Sequence, residues 1–290
     1  MTMTRPSHPS GLSSHPWRRS PLLAGAVWIV SWAATGFVFG PALGEFWLVH
    51  LPEFAYYFVA FLPLLILMVT SLWVMRTLAE LPAGRRLLLL LGLGAGAALS
   101  AAIWFLPPEL RLDVQGPLLL TMGMALGLGL SRTFREREWI FPILVIFVAV
   151  DAYSVLAGPT KKTLESEQGQ QVAELVMVSY PSAGAGAGAL GSVAYFGLPD
   201  AIVMALFIGL SAKFGLSMGR TIGSQLAGML IALMLAGLMG AGVPALPYLC
   251  GAFAIVHLRS IKTDRKTGRT LIVFLTGLAV ALAVLHGALH

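Results

Sequence analysis

Ile140-Phe141-Pro142-Ile143-Leu144-Val145-Ile146-Phe147-Val148-Ala149-Val150-Asp151-Ala152-Tyr153-Ser154-Val155 decides the fold. With its neighbours it makes an apolar run, 139–158, of about 20 residues, the length that crosses the roughly 30 Å hydrocarbon layer of a bilayer. One carboxylic acid stands inside it. An ionisable side chain at such a depth costs a few kcal/mol even on insertion scales, so Asp151 is a functional candidate by default. The same texture fills the chain. Of its 290 residues 57% are hydrophobic and 11% charged, against about 25% charged in a soluble protein. The composition excludes an ordinary soluble domain.

Apolar runs of spanning length recur near 22–40, 54–75, 86–106, 116–131, 139–158, 192–212, 222–242, 243–258 and 270–288. They predict an all-α polytopic membrane protein of about nine transmembrane helices. Arg18 and Arg19 precede the first run, whose apolar core is longer than the roughly 7–15 residues of a signal peptide; it is expected to be a retained anchor. Orientation follows from the basic residues, which gather on cytoplasmic loops. With the N-terminus cytoplasmic and the C-terminus outside, only Arg111, Lys161 and Lys162 of the 19 Lys and Arg fall outside. The net charge of +6 is therefore topological, and no nucleic acid is implied. The expected location is the cell (cytoplasmic) membrane, multi-pass, with the lipid bilayer as constant partner.

The 13 acids sort on the same scheme: Glu80, Glu136, Glu138 and Asp264 inside, and Glu45, Glu53, Glu109, Asp113, Glu165, Glu167 and Glu174 outside. Asp151 and Asp200 alone remain within runs. Asp151 lies roughly 20 Å along its run at about 1.5 Å per residue, and Asp200 is in the first turns of the next, returning run. Both reach a similar depth on helices joined by one outer loop. Two carboxyl groups close together in a low-dielectric site share one proton. The ionised one can take a proton from water as it attacks an amide, and the protonated one can donate to the oxyanion. That chemistry needs no metal and no cofactor. The alternatives for such a pair are a transporter's proton relay, an ion ligand or a structural pair.

Three local motifs bear on the choice. They are Val150-Asp151-Ala152-Tyr153-Ser154-Val155, then Phe196-Gly197-Leu198-Pro199-Asp200, then Gly242-Val243-Pro244-Ala245-Leu246-Pro247. In this order, each at a span, they resemble the intramembrane aspartyl proteases of the presenilin and signal peptide peptidase family, archaeal and bacterial members included. The resemblance covers about residues 139–258. It implies catalytic Asp151 and Asp200. It also implies an active-site frame of Gly197, Leu198, Pro199, Pro244, Ala245, Leu246 and Pro247, with the Pro-Ala-Leu segment opening a helix beside the aspartates. Two departures stand out. Val150 replaces a tyrosine usual before the first aspartate, with Tyr153 as a substitute, and Pro199 replaces the second glycine of Gly-x-Gly-Asp. Proline fits the first turn of a helix, where its missing N–H has no partner anyway.

The connection 159–190 is longer than an ordinary loop. The family resemblance gives Val176, Met177, Val178, Ser179 and Tyr180 the role of a strand that pairs with unwound substrate by strand addition. The implied domains are a disordered cytoplasmic tail, 1–20; a four-helix membrane scaffold, 21–138; a catalytic core, 139–258; and a basic loop with a final span, 259–290. The implied substrates are single-span membrane proteins or signal-peptide remnants, with no obligatory accessory subunit. A prepilin-peptidase-like aspartyl protease and a non-enzymatic proton-coupled transporter using the same aspartates are the alternatives. A serine reading rests on Gly215-Leu216-Ser217-Met218-Gly219 with His257. That motif requires a strand-turn-helix elbow, and packing of small residues is expected to explain Gly215 and Gly219 instead.

Overall fold

The structure, a computed structural model, describes residues 20–34, 53–81, 85–106, 108–156, 177–178, 196–239 and 243–261. They form α1 (Pro21–Ala34), α2 (Glu53–Glu80), α3 (Arg85–Phe105), α4 (Pro108–Ser131), α5 (Ile140–Leu156), α6 (Leu198–Phe214), α7 (Met218–Met239) and α8 (Leu246–His257). A 3₁₀ turn, Arg137–Trp139, leads into α5. The rest is all-helical save one antiparallel pairing of β1 (Met177–Val178) with β2 (Phe196–Gly197). Among the described residues three stretches are long and apolar enough to cross a membrane: Val114–Ser131, Arg137–Val155 and Met218–Ala236.

Helices occupy eight of the nine apolar runs. The ninth, 270–288, and the tail 1–19 lie outside the described residues. Several boundaries move, two of them with a local cause. α4 starts at Pro108, ahead of the run at 116, because Glu109, Leu110 and Arg111 are good helix formers that continue the helix without being apolar. The helix in run 192–212 begins only at Leu198, since Phe196 and Gly197 pair as a strand and Pro199 sits in the first turn.

α6 is the centre of the bundle. Ala201 and every residue from Val203 to Ser211 are buried, as expected of a helix apolar on all sides. It packs on α2, α4, α7 and α8. Small residues bring α4 against it. A β-carbon on Gly123 would stand 2.6 Å from Ala201 Cβ, and one on Gly127 would stand 2.2 Å from the Ile202 carbonyl oxygen. This Gly-x-x-x-Gly face supplies the close backbone approach that drives helix association in lipid. At the far end Lys213 Nζ donates to the carbonyls of Arg132 and Phe134, just beyond α4. α1 docks on α2 through Trp28, whose Nε1 donates to Ser71 Oγ at 2.9 Å.

α7 and α8 form a second close pair, with Gly228 facing the Tyr248 carbonyl at 2.7 Å from a built β-carbon. α5 packs on α8. The outer surface is apolar: Leu22, Ile29, Val30, Leu89, Leu90, Leu93, Met234 and Ile255 are each at least 60% exposed. Water would penalise such a surface, whereas lipid does not.

Gly215 and Gly219 do not serve helix packing. Gly215 has φ +65° and ends α6, with the Leu216 N–H returning to the Ser211 carbonyl at 2.9 Å. This is the left-handed helix stop that favours glycine. A β-carbon on either glycine meets nothing within 4 Å.

Candidate active site

Asp151 lies in the last third of α5 and is half-buried. Its Oδ2 accepts the backbone N–H of Leu246 at 3.0 Å, across a sequence separation of 95. The local reason is the helix start. Ala245 is the N-cap of α8, Leu246 the first helical residue and Pro247 the second. The first N–H groups of a helix have no intrahelical partner. Pro247 has none to satisfy, and Tyr248 and Leu249 both donate to the Ala245 carbonyl, each at 3.1 Å. The Leu246 N–H is left, and the Asp151 carboxyl takes it. Pro244, Ala245, Leu246 and Pro247 thus meet Asp151 through one backbone bond.

Asp200 occupies the third position of α6, half-buried. Its Oδ2 accepts the N–H of Gly197, the N-cap, at 3.0 Å, the carboxylate half of a capping box. Gly197 is extended at φ −71°, so no special backbone angle calls for glycine there. Space does: a β-carbon would lie 3.1 Å from Asp200 Oδ2 and 3.3 Å from Pro199 Cδ. Leu198 is half-buried and Pro199 exposed, so proline closes the first turn without entering the core.

Each aspartate therefore stands at a helix N-terminus, Asp200 on its own helix and Asp151 on α8. The dipoles of both helices point their positive ends at carboxyl groups. The two helix starts belong to neighbours, since α6 and α8 pack on one another, and Cys250 on α8 is buried. Each carboxyl is anchored through Oδ2. Acids so anchored can each give or take a proton without first reorienting.

Tyr153 does not reach Asp151. Its hydroxyl is buried with no hydrogen-bond partner among the described residues, because positions two apart face different sides of a helix. Met177 and Val178 do form a strand, but it pairs within the chain, Met177 opposite Gly197 and Val178 opposite Phe196. That pairing ties the long connection to the residue that caps Asp200. Val176, Ser179 and Tyr180 lie outside the described residues, as does most of 159–190.

The serine arrangement is not assembled. Ser217 is exposed, and the hydroxyl on His257 Nε2 is that of Thr221, at 2.9 Å. With Gly215 ending α6 and α7 starting at Met218, the motif joins two helices and forms no elbow. Among the described residues no three His, Cys, Asp or Glu side chains converge as a metal site. Sequence reasoning passed over Gly123 and Gly127, though their spacing of four was a usable signal, and over Thr221, Gln225 and Cys250, for which no pattern was available. No protein-family model, curated protein or solved structure matches the chain.

Proposed function

We propose that the protein is an intramembrane aspartyl endopeptidase that hydrolyses peptide bonds within membrane-spanning segments or signal-peptide remnants. The observation that carries this reading is the bond from the Leu246 N–H to Asp151 Oδ2. It joins the Pro-Ala-Leu segment at the start of α8 to the first aspartate, and α8 packs on α6, whose first turn carries the second. That bond between two motifs far apart in sequence supports the roles that the family resemblance gives them.

In the proposed reaction the ionised carboxyl removes a proton from water, and the water oxygen bonds to the amide carbon. The protonated carboxyl gives its proton to the amide oxygen. As the tetrahedral adduct collapses, one of its hydroxyls re-forms the carbonyl and returns its proton to the ionised carboxyl. The C–N bond breaks, and the leaving nitrogen takes the proton of the other carboxyl, which leaves the pair singly protonated as it began. Anchoring each Oδ2 on a backbone N–H fixes both acids before substrate arrives, so little reorganisation remains for the chemical step.

The reading includes nine spans, a cytoplasmic N-terminus, an outer C-terminus and a dyad that opens to the outer side of the cell membrane. Single-span proteins with cytoplasmic N-termini are the substrates that fit this orientation. The test uses purified protein in liposomes with a single-span reporter. Cleavage is expected, and Asp151→Ala or Asp200→Ala each abolishes it. Cleavage indifferent to both changes sinks the proposal, and proton-coupled uptake without cleavage replaces it with the transporter.

A further inference from the structure

A partly open cavity of about 960 Å³ lies among the last turns of α2, α4 and α6, at the end of the bundle remote from the dyad. Ser211, 0% exposed, lines it. From Ser211 a chain of polar groups leads into the bundle. Ser211 Oγ is 2.7 Å from Thr221 Oγ1 on α7, which is 2.9 Å from His257 Nε2 on α8. One turn further along α7, Gln225 Nε2 donates to the Leu249 carbonyl at 3.4 Å. Leu249 belongs to the same first turn of α8 whose Leu246 N–H binds Asp151. Cys250, the next residue, is buried. The polar groups sit on one seam between three otherwise apolar helices, walled by the stacked Phe207 and Phe253 rings.

Two atoms on the seam are unsatisfied. His257 Nδ1 and Gln225 Oε1 are buried and have no hydrogen-bond partner among the described residues, on side chains 1% and 0% exposed. In a bilayer, bulk water cannot satisfy such groups from outside. Interiors resolve the problem with ordered water that makes a few hydrogen bonds to otherwise unpaired groups. We propose that this seam holds ordered water bound to His257 and Gln225, and that it supplies water to the dyad from the far cavity. The need is chemical. Each turnover returns the pair to its singly protonated form but consumes one water, and a substrate segment seated over the outer-facing dyad leaves the far side as the route by which that water is replaced. The use of the seam by the dyad rests on the proteolytic reading; the presence of water in it does not.

X-ray hydroxyl-radical footprinting of the whole protein in nanodiscs tests both parts. Cys250, Phe253 and His257, at 1%, 0% and 1% exposure, are reporters that bulk solvent does not reach, and Met68 on α2, 3% exposed, is the dry control. The expected result is labelling of Cys250 and His257 several-fold above Met68. The near-isosteric variants Thr221→Val and Gln225→Leu are expected to lose that labelling. They also slow reporter cleavage on the order of tenfold at unchanged KM. Labelling no greater than Met68 overturns the hydrated seam. Labelling lost in both variants with cleavage unchanged overturns its connection to the dyad. Failure of the proteolytic reading shows separately, as absence of cleavage by the unsubstituted protein whose labelling is intact.

Discussion

Replacing Gly127 by alanine adds one methyl group where α4 crosses α6, and the structure fixes what that methyl meets. A β-carbon there stands 2.2 Å from the Ile202 carbonyl oxygen, 2.7 Å from Ala205 Cβ and 2.9 Å from Leu206 N. Two of the three are backbone atoms, so no side chain can turn away. Bringing 2.2 Å to an ordinary contact near 3.4 Å moves the helices apart by about 1.2 Å. Overpacking of this kind costs about 1–3 kcal/mol, and it outweighs the gain of about 1 kcal/mol that alanine brings over glycine inside a helix. Gly129, on the same helix, is the control, since its β-carbon meets nothing within 4 Å. Gly129→Ala is therefore expected to leave stability unchanged or raise it. Asp200 rides on the helix that α4 would displace, and a misplacement of about 1 Å costs on the order of 100-fold in rate. Thermal unfolding in detergent, paired with reporter cleavage, reads both effects. Equal stability and activity of Gly127→Ala and Gly129→Ala would refute the close α4 to α6 crossing.

Four further outcomes are expected. Gly197→Ala crowds Asp200 Oδ2 at 3.1 Å, and reporter kinetics should show kcat falling by roughly an order of magnitude with the protein still folded. Asp151→Asn keeps an oxygen to accept the Leu246 N–H, so its melting temperature stays near that of the unsubstituted protein while cleavage is lost. Asp151→Leu leaves that N–H unpaired and is expected to be about 1–3 kcal/mol less stable than Asp151→Asn in denaturant unfolding. Gly215→Val places a branched side chain at φ +65° and should lower stability by at least about 1 kcal/mol, measured by the same unfolding; an unchanged midpoint contradicts the left-handed helix stop.

Much of the helical layout is legible in the sequence, because apolar runs bounded by charge are a strong one-dimensional signal. Its boundaries are less so. The start of α6 depends on Met177 pairing with Gly197, a contact between residues 20 apart that no local pattern announces. Gly215 and Gly219 show the limit of motif spacing: a separation of four suits helix packing, but Gly215 ends a helix, whereas the same spacing at Gly123 and Gly127 does pack. Asp151 and Asp200 stand out because an acid in an apolar run is costly. The anchoring of each by a backbone N–H depends on where helices begin, and only the fold reveals it. Ser211, Thr221 and Gln225 carry no motif in their helices, and His257 enters only the serine reading; they become a seam only when three helices bring them together.

The most direct test of the central claim is mass spectrometry of products from a single-span reporter, incubated with purified protein in nanodiscs prepared in ¹⁸O-labelled water. The account predicts new termini inside the reporter's apolar stretch, with label from water in the new carboxyl group, and none in Asp151→Asn or Asp200→Asn. Internal cleavage that persists in either variant would contradict it.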